Sequence, residues 1–126
     1  MATNREQLVA LYNEYDLKPD DVFKHKQGWT IIRRTGIDKI QAVSNVKIKY
    51  ETVALDREFC VVKAIATYGD NYIETFGEAD KKTNCMNQYH VAIAEKRAMS
   101  RAVLKLTGFY KLGVYAEDES DDFKKQ

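Results

Sequence analysis

The sequence predicts an α+β domain, in which an antiparallel meander of three to four strands packs against one long helix. Three neighbouring segments, VKIKYETV, FCVVKAIATY and NYIETF, have the composition and alternation of consecutive strands. A helical pattern from about Met86 to Thr107 follows them. Strands in one run with helices gathered on one side are typical of α+β folds. With 126 residues the chain suits one domain, which we place at residues 1–116, followed by an acidic tail at 117–126.

The first element is a predicted N-terminal helix. Thr3 and Glu6 have the spacing of a capping box, in which each side chain accepts from a backbone amide of the first turn. An apolar stripe at helical spacing follows, formed by Leu8, Leu11, Tyr12 and Tyr15. Pro19, the only proline, is expected to stop this helix and open a turn.

Short elements connect this helix to the meander. Val22 and Phe23 are predicted to add one helical turn, and WTIIR to form a short strand. Thr35 and Asp38 repeat the cap spacing, so TGIDKIQAV is predicted to be a second, short helix.

The strands of the meander differ in how they are expected to be buried. In VKIKYETV one face is expected to be buried and the other exposed. The buried set is Val46, Ile48 and Tyr50, and the exposed set is Lys47, Lys49 and Glu51. FCVVKAIATY is almost wholly apolar, which predicts a central strand covered on both faces, with Cys60 in the core. Gly69 and Gly77 are predicted to be turn residues, the first in a hairpin with Asp70.

Two rows of residues lie side by side on the long helix, which Gly108 is expected to end. A small-residue stripe that lets the helix lie close to the sheet consists of Ala94, Ala98 and Ala102. A flanking row of cations consists of Arg97, Arg101 and Lys105. Cations on a rigid element suit the successive phosphates of a nucleic-acid backbone. Spacing alone is equally compatible with an ordinary solvated face.

Further basic residues lie upstream of the long helix. Lys47 and Lys49 project from the polar face of their strand, and Arg33 and Arg34 precede the short helix. Lysines on a strand also keep an exposed edge soluble. Taken with the row on the long helix, these cations favour a nucleic-acid partner.

The segment from about Ile31 to Tyr115 resembles the single-strand annealing superfamily named after radiation-sensitive fifty-two, and within it the small phage and prophage members. The likeness rests on a strand hairpin, then FGEA, then a helix carrying AEKRAMSRAVLKLTGF. In this helix KRA…RAVLKLTG has the basic-alanine pattern that ends in a glycine.

The resemblance implies ATP-independent binding and annealing of single-stranded DNA in phage-type recombination, with no cofactor. Such proteins form rings or helical filaments and hold DNA in a basic groove between meander and helix. Carried over by position, Arg101 and Lys105 match groove residues, and Arg97 matches the basic-alanine pattern. The strand candidates are Lys47, Lys49 and Lys63.

Annealing requires contacts to phosphates that leave the pairing edges of the bases open. Four tyrosine rings suit either of two roles, stacking on bases or packing beside the core. They are Tyr68, Tyr72, Tyr89 and Tyr110. A meander has two open edges, and such edges pair readily with another chain, so a homo-oligomer is expected.

Charge and composition limit the other classes of protein to which the chain can belong. The net charge is only +1, but the run EDESDD near the C-terminus holds five of the nineteen acidic residues, so the body is basic. We expect this acidic tail to be disordered and to limit non-specific DNA binding or to touch a basic partner. His25 and His90 have no zinc-site spacing and no glycine-rich phosphate loop is present, so we expect neither an enzyme nor a metal site.

The location expected from the sequence is cytoplasmic, which for a phage protein is the host cytoplasm. Two cysteines without C-x-x-C spacing do not suggest a secreted scaffold, and no apolar run approaches a membrane span. Two alternatives to annealing stay open. One is a double-stranded RNA binding module, which shares the order helix, meander, helix. The other is a structural phage assembly protein without nucleic-acid affinity.

Overall fold

The computed structural model describes residues 3–24, 28, 30–82 and 89–117, and it confirms the α+β fold. The helices within these residues are α1 (Asn4–Glu14), α2 (Arg34–Ser44) and α3 (His90–Thr107). The strands are β1 (Val22–Lys24), β2 (Thr30–Ile32), β3 (Lys47–Leu55), β4 (Phe59–Tyr68), β5 (Asn71–Asp80) and β6 (Val114–Ala116). Short 3₁₀ turns occupy Pro19–Asp21 and Tyr110–Leu112.

The strands form two sheets. The predicted meander is present as an antiparallel sheet in the order β3-β4-β5. The second sheet has the order β1-β2-β6, with β1 antiparallel and β6 parallel to β2. This second sheet was not predicted as a unit. Val22 and Phe23 belong to β1, so the helical turn predicted for them is wrong.

The hairpin between β4 and β5 is confirmed. Tyr68 pairs with Asn71 across the two-residue loop, and Gly69 has a φ of +60°, a conformation that glycine adopts without strain. β4 is the central strand, as predicted, but only one of its faces is covered. Alternate residues from Cys60 to Ala66 are buried, while those on the opposite face are half-buried. The prediction of two covered faces is wrong because α3 packs against one face of the sheet.

β3 lies at one edge of the meander and is less covered than predicted. Val46, just before the strand, is buried and Ile48 is half-buried, but Tyr50 is 40% exposed. The expectation for Tyr50 is wrong because α3 packs mainly on β4 and β5 and extends little over β3.

The alanine stripe of α3 packs directly on the meander. Ala94, Ala98 and Ala102 are fully buried. Gly77 lies inside β5, where an added Cβ would overlap the backbone of Ala94 and Ala98, so the prediction of a turn residue is wrong. Because glycine brings the two backbones together, the hydroxyl of Thr75 can donate to the carbonyl of Ala98 at 2.7 Å.

A second core lies between α3, α2 and the β1-β2-β6 sheet. Its fully buried members include Ile32, Ile37, Ile40, Val103 and Phe109. The rings of Tyr12 in α1 and of Tyr15 just after it pack against Phe109. α3 therefore contributes to both cores and joins the two sheets.

The helix boundaries partly match the predictions. The amide of Glu6 donates to the hydroxyl of Thr3, as the predicted cap requires. α2 begins at Arg34 without a side-chain cap, because the hydroxyl of Thr35 donates to Asp21 instead. α3 begins at His90, and the predicted start at Met86 lies outside the described residues. Gly108 ends α3 with a φ of +93°, as predicted.

Candidate nucleic-acid interface

The first cation of the helix row, Arg97, is buried. Its side chain is the largest of those that are fully buried in the described residues, and its relative exposure is 1%. The guanidinium donates to the carbonyl of Glu78 in β5 at 2.8 Å. A phosphate cannot reach this group without displacing α3 from the sheet, so Arg97 is not part of an exposed row.

Arg101, one turn further along α3, is held against the same strand. It donates to the carbonyl of Phe76 at 2.6 Å and faces the carboxylate of Glu78, at 3.2 Å from Oε1 and 3.4 Å from Oε2. Its side chain is 19% exposed. Glu78 offsets its charge, so Arg101 contributes less positive potential than the sequence suggested.

These two arginines close part of the β5 edge. In a hairpin with a two-residue loop the closing pair is hydrogen-bonded, and the bonding alternates along the strands. Counting from Tyr68 and Asn71, the carbonyls of Phe76 and Glu78 point away from β4. Arg97 and Arg101 bind these outward carbonyls, so this stretch of β5 is not the open edge that the sequence predicted.

Lys105 is the exposed member of the row. Arg97 contacts Glu78, and Arg101, one helical turn later, contacts Phe76. The contact therefore moves two residues along β5 toward the hairpin loop. Lys105 lies one turn further in this direction, and its ammonium is 5.2 Å from the centre of the Tyr110 ring. An exposed ammonium beside an aromatic ring suits contact with a nucleic-acid backbone.

The strand lysines lie on the face of the meander opposite α3, which we call the open face. Lys63 bridges two carboxylates, Glu51 at 3.2 Å and Glu74 at 3.0 Å. Hydrogen bonds to Glu74 and then to Glu51 raise the pKa of Lys63. These three groups together are negative, so Lys63 does not supply a net positive charge.

Lys47 and Lys49 differ from Lys63 because both are exposed and neither has an ion-pair partner among the described residues. They lie on the same face of β3, with Lys47 paired to Thr67 next to the hairpin. A depression of about 460 Å³ beside Lys47 is lined by the residues Ser44, Asn45, Lys47, Thr67, Tyr68 and Gly69. The side chains of Asn45 and Thr67 add an amide and a hydroxyl as donors for an anion, whereas the Ser44 hydroxyl donates to the carbonyl of Ile40.

Exposed rings accompany these lysines. Tyr72 and Phe76 of β5 are on the open face, with exposures of 59% and 48%. Two strand spacings, about 10 Å, separate them from the lysines of β3. Of the tyrosines proposed from the sequence, Tyr72 and Tyr89 are exposed, and Tyr68 and Tyr110 are half-buried.

Arg33 and Arg34 lie apart from the open face, at the start of α2. The guanidinium of Arg33 is 4.5 Å from the centre of the Phe23 ring and 3.7 Å from Glu117. Arg34 faces Asp38 at 3.6 Å, and its backbone amide donates to Glu117 at 3.2 Å. Glu117 therefore binds the folded domain, whereas residues 118–126 of the predicted tail lie outside the described residues.

Comparison with known proteins gives no relative. No family model matches the chain, and neither the curated proteins nor the solved structures contain a match. The likeness to annealing proteins therefore rests on the sequence pattern alone.

Among the described residues, no helix combines the length and apolarity that crossing a membrane requires.

One buried polar centre was missed by the sequence reasoning. Asp21 accepts from the ammonium of Lys39 at 2.7 Å, the hydroxyl of Thr35 at 2.6 Å and the amide of Lys18 at 2.9 Å. Burial raises the pKa of Asp21, but these hydrogen bonds outweigh it and lower the pKa to about 2. No periodic pattern marks this contact in the sequence, because it joins a turn to a helix.

Proposed function

We propose that this chain binds single-stranded DNA through exposed lysines near the β4–β5 hairpin and anneals complementary strands without ATP. The observation that carries the proposal is the placement of Lys47 and Lys49 on the open face, with Tyr72 and Phe76 exposed on the same face. Cations that follow a backbone and rings on which bases stack are the two components of sequence-independent single-strand binding.

Lys105 adds an exposed cation outside the open face. It lies toward the same hairpin end, on the α3 side, and is exposed. Arg101 is retained as a secondary contact, and Arg97 is assigned to the interior. The proposed action is non-covalent, uses no cofactor and takes place in the cytoplasm as part of phage-type recombination, with the protein acting as a homo-oligomer.

Retention of labelled single-stranded DNA at several salt concentrations tests this proposal. The logarithm of affinity is expected to fall linearly with the logarithm of salt, with a slope of about 0.7 per phosphate neutralised. Lys47→Ala and Lys105→Ala should each reduce that slope by about 0.7 and weaken binding several-fold.

Lys82→Ala is the matched control, because Lys82 is an exposed lysine beyond the opposite end of the sheet and pairs with Glu58. It should leave the slope unchanged. An equal loss for Lys82→Ala would mean that overall charge, and not this surface, governs binding. Absence of retention would reject the proposal and favour a structural protein, while preference for double-stranded RNA would favour the RNA-binding alternative.

Annealing itself needs a second measurement. Two complementary strands, each labelled with one dye of a pair, should pair faster with the protein than without it, in buffer without ATP. Binding without acceleration would restrict the function to single-strand binding.

A further inference from the structure

The outer edge of β3 has unpaired backbone groups. Successive residues of β4 form backbone hydrogen bonds alternately with β5 and with β3. By this alternation the backbone groups of Lys47, Lys49 and Glu51 bond to β4. Ile48, Tyr50 and Thr52 therefore direct their N–H and C=O groups outward. Within the described residues none of these groups has a backbone partner. An edge of this kind is a template for pairing with another strand.

The same strand exposes apolar side chains. Tyr50, Val53 and Leu55 are 40%, 55% and 58% exposed. The opposite edge of the sheet differs, because Arg97 and Arg101 bind two of its outward carbonyls. Of the two edges of the meander, β3 is therefore the one open to pairing, over the run from Ile48 to Thr52 that ends at the register shift between Thr52 and Ala54.

We propose that β3 pairs antiparallel with β3 of a second copy of this chain, about a two-fold axis at Tyr50. In this register Tyr50 faces Tyr50 of the partner subunit, and Ile48 faces Thr52 of the partner subunit. These are the residues whose backbone groups point outward, so each facing pair exchanges hydrogen bonds. The result is one continuous six-stranded sheet, built from two meanders of three strands.

Charge complementarity selects this register. Lys49 faces Glu51 of the partner subunit, and by symmetry Glu51 faces Lys49 of the partner subunit. Opposite charges at facing positions stabilise an antiparallel pair, and like charges destabilise it. A shift by two residues in one direction would place Lys49 opposite its own copy, and a shift in the other would place Glu51 opposite its own copy. A shift by one residue would turn the outward groups away from each other.

The arrangement is isologous and closes on itself, so it forms a dimer and does not propagate. A ring or filament would need a second interface elsewhere on the molecule. The proposal names the partner surface for the oligomer of the proposed function and in that sense rests on it, but its test contains no DNA.

Analytical ultracentrifugation of the full chain without DNA tests the dimer. The wild-type protein should sediment as twice one chain, with a measurable dissociation constant. Lys49→Glu and Glu51→Lys should each weaken the dimer by roughly ten-fold or more, because two attractive pairs become repulsive. The double variant carrying both changes should restore the dimer, since the facing charges are opposite again.

Lys47→Glu is the matched control for the register. Lys47 lies beyond the regularly paired run, opposite the register shift of the partner subunit's β3, and faces no charge, so this variant should dimerise like the wild type. Thr52→Pro provides an independent check, because its N–H points outward and a proline at such an edge position leaves the bonds to β4 intact. It should abolish the dimer while thermal unfolding shows a folded protein.

A monomer at every concentration would overturn the proposal, as would a double variant weaker than either single variant. A weakened dimer in Lys47→Glu with an unchanged one in Lys49→Glu would overturn the register, because in the register shifted by two residues Lys47 faces Glu51 of the partner subunit and position 49 faces its own copy. A monomer that retains DNA would overturn the dimer alone, whereas a dimer that does not retain DNA would overturn the proposed function alone.

Discussion

Arg97 and Lys105 belong to the same row on α3, about two turns apart, yet their surroundings give them different roles. Arg97 is 1% exposed and binds the carbonyl of Glu78, while Lys105 is exposed beside Tyr110. Spacing along a helix defines a face, but it does not reveal where a neighbouring strand ends. At this edge of the sheet the first two cations of the row reach β5 and the third does not contact it.

Alanine substitutions separate these roles. Arg97→Ala should lower the free energy of unfolding by about 2 to 4 kcal/mol, because it removes a charge-assisted hydrogen bond and leaves a cavity. Lys105→Ala should change it by no more than about 0.5 kcal/mol, as expected for a surface position. Urea denaturation measures both. Equal stability of the two variants would contradict the assignment of Arg97 to the interior.

Single-strand binding should follow the reverse order. Lys105→Ala should weaken DNA affinity several-fold, while the folded fraction of Arg97→Ala should bind like the wild type. Arg101→Ala is expected to be intermediate in both measurements, because Arg101 is partly exposed but paired with Glu78.

The elements themselves were predicted more accurately than their environments. The meander, the long helix and the buried alanine stripe follow from alternation and helical spacing, which are local signals. β6 was missed because three residues carry no periodicity, and it becomes a strand only by pairing with β2. The exposure of Tyr50 and the burial of Arg97 were missed for one reason, since both depend on where α3 crosses the sheet.

Gly77 shows how one residue determines the packing of two elements. It sits in β5 under α3, where a side chain would overlap the helix backbone. The prediction that Gly77 is a turn residue is wrong because a glycine in a strand also marks a close approach of another backbone.

Gly77→Ala tests this contact. Since neither backbone can move without disturbing the core, we expect a loss of at least about 3 kcal/mol in the free energy of unfolding. Gly69→Ala is the comparison, because Gly69 has open space around it and only its positive φ opposes a side chain. That variant should lose about 1 to 2 kcal/mol. A smaller loss for Gly77→Ala than for Gly69→Ala would show that α3 does not lie this close to β5.

At the scale of the whole molecule, α3 connects two sheets that carry different surfaces. The meander presents the lysines, the exposed rings and the β3 edge, whereas the second sheet, with α1 and α2, holds the larger aliphatic core. The sequence could indicate the cations, but three of the eight candidates are offset by nearby carboxylates that only the fold brings together. These are Lys63, Arg33 and Arg101.

Asp21 holds together elements on the side of the second sheet, and its ionisation predicts how the stability of the protein changes with pH. Asp21 is 4% exposed and links the turn after α1 to α2 through Lys39 and Thr35. Its pKa, about 2, lies below the ordinary value of 3.8. A carboxyl group with a depressed folded-state pKa contributes stability above its unfolded pKa and loses it as the pH falls through the folded pKa. Between about pH 4 and pH 2 the wild-type protein should therefore lose about 1 to 2 kcal/mol on account of this group.

Asp21→Asn isolates this contribution, because the amide keeps the shape of the side chain and cannot ionise. At pH 7 the variant should be less stable than the wild type by about 1 to 2 kcal/mol, since the ammonium of Lys39 then donates to an uncharged amide oxygen and no longer to a carboxylate. Urea denaturation at pH 7, 4 and 2.5 should show the two proteins converging as the pH falls, because protonation removes the carboxylate that the substitution has already removed. A difference that stays constant down to pH 2.5 would mean that Asp21 stabilises the fold through shape and not through charge.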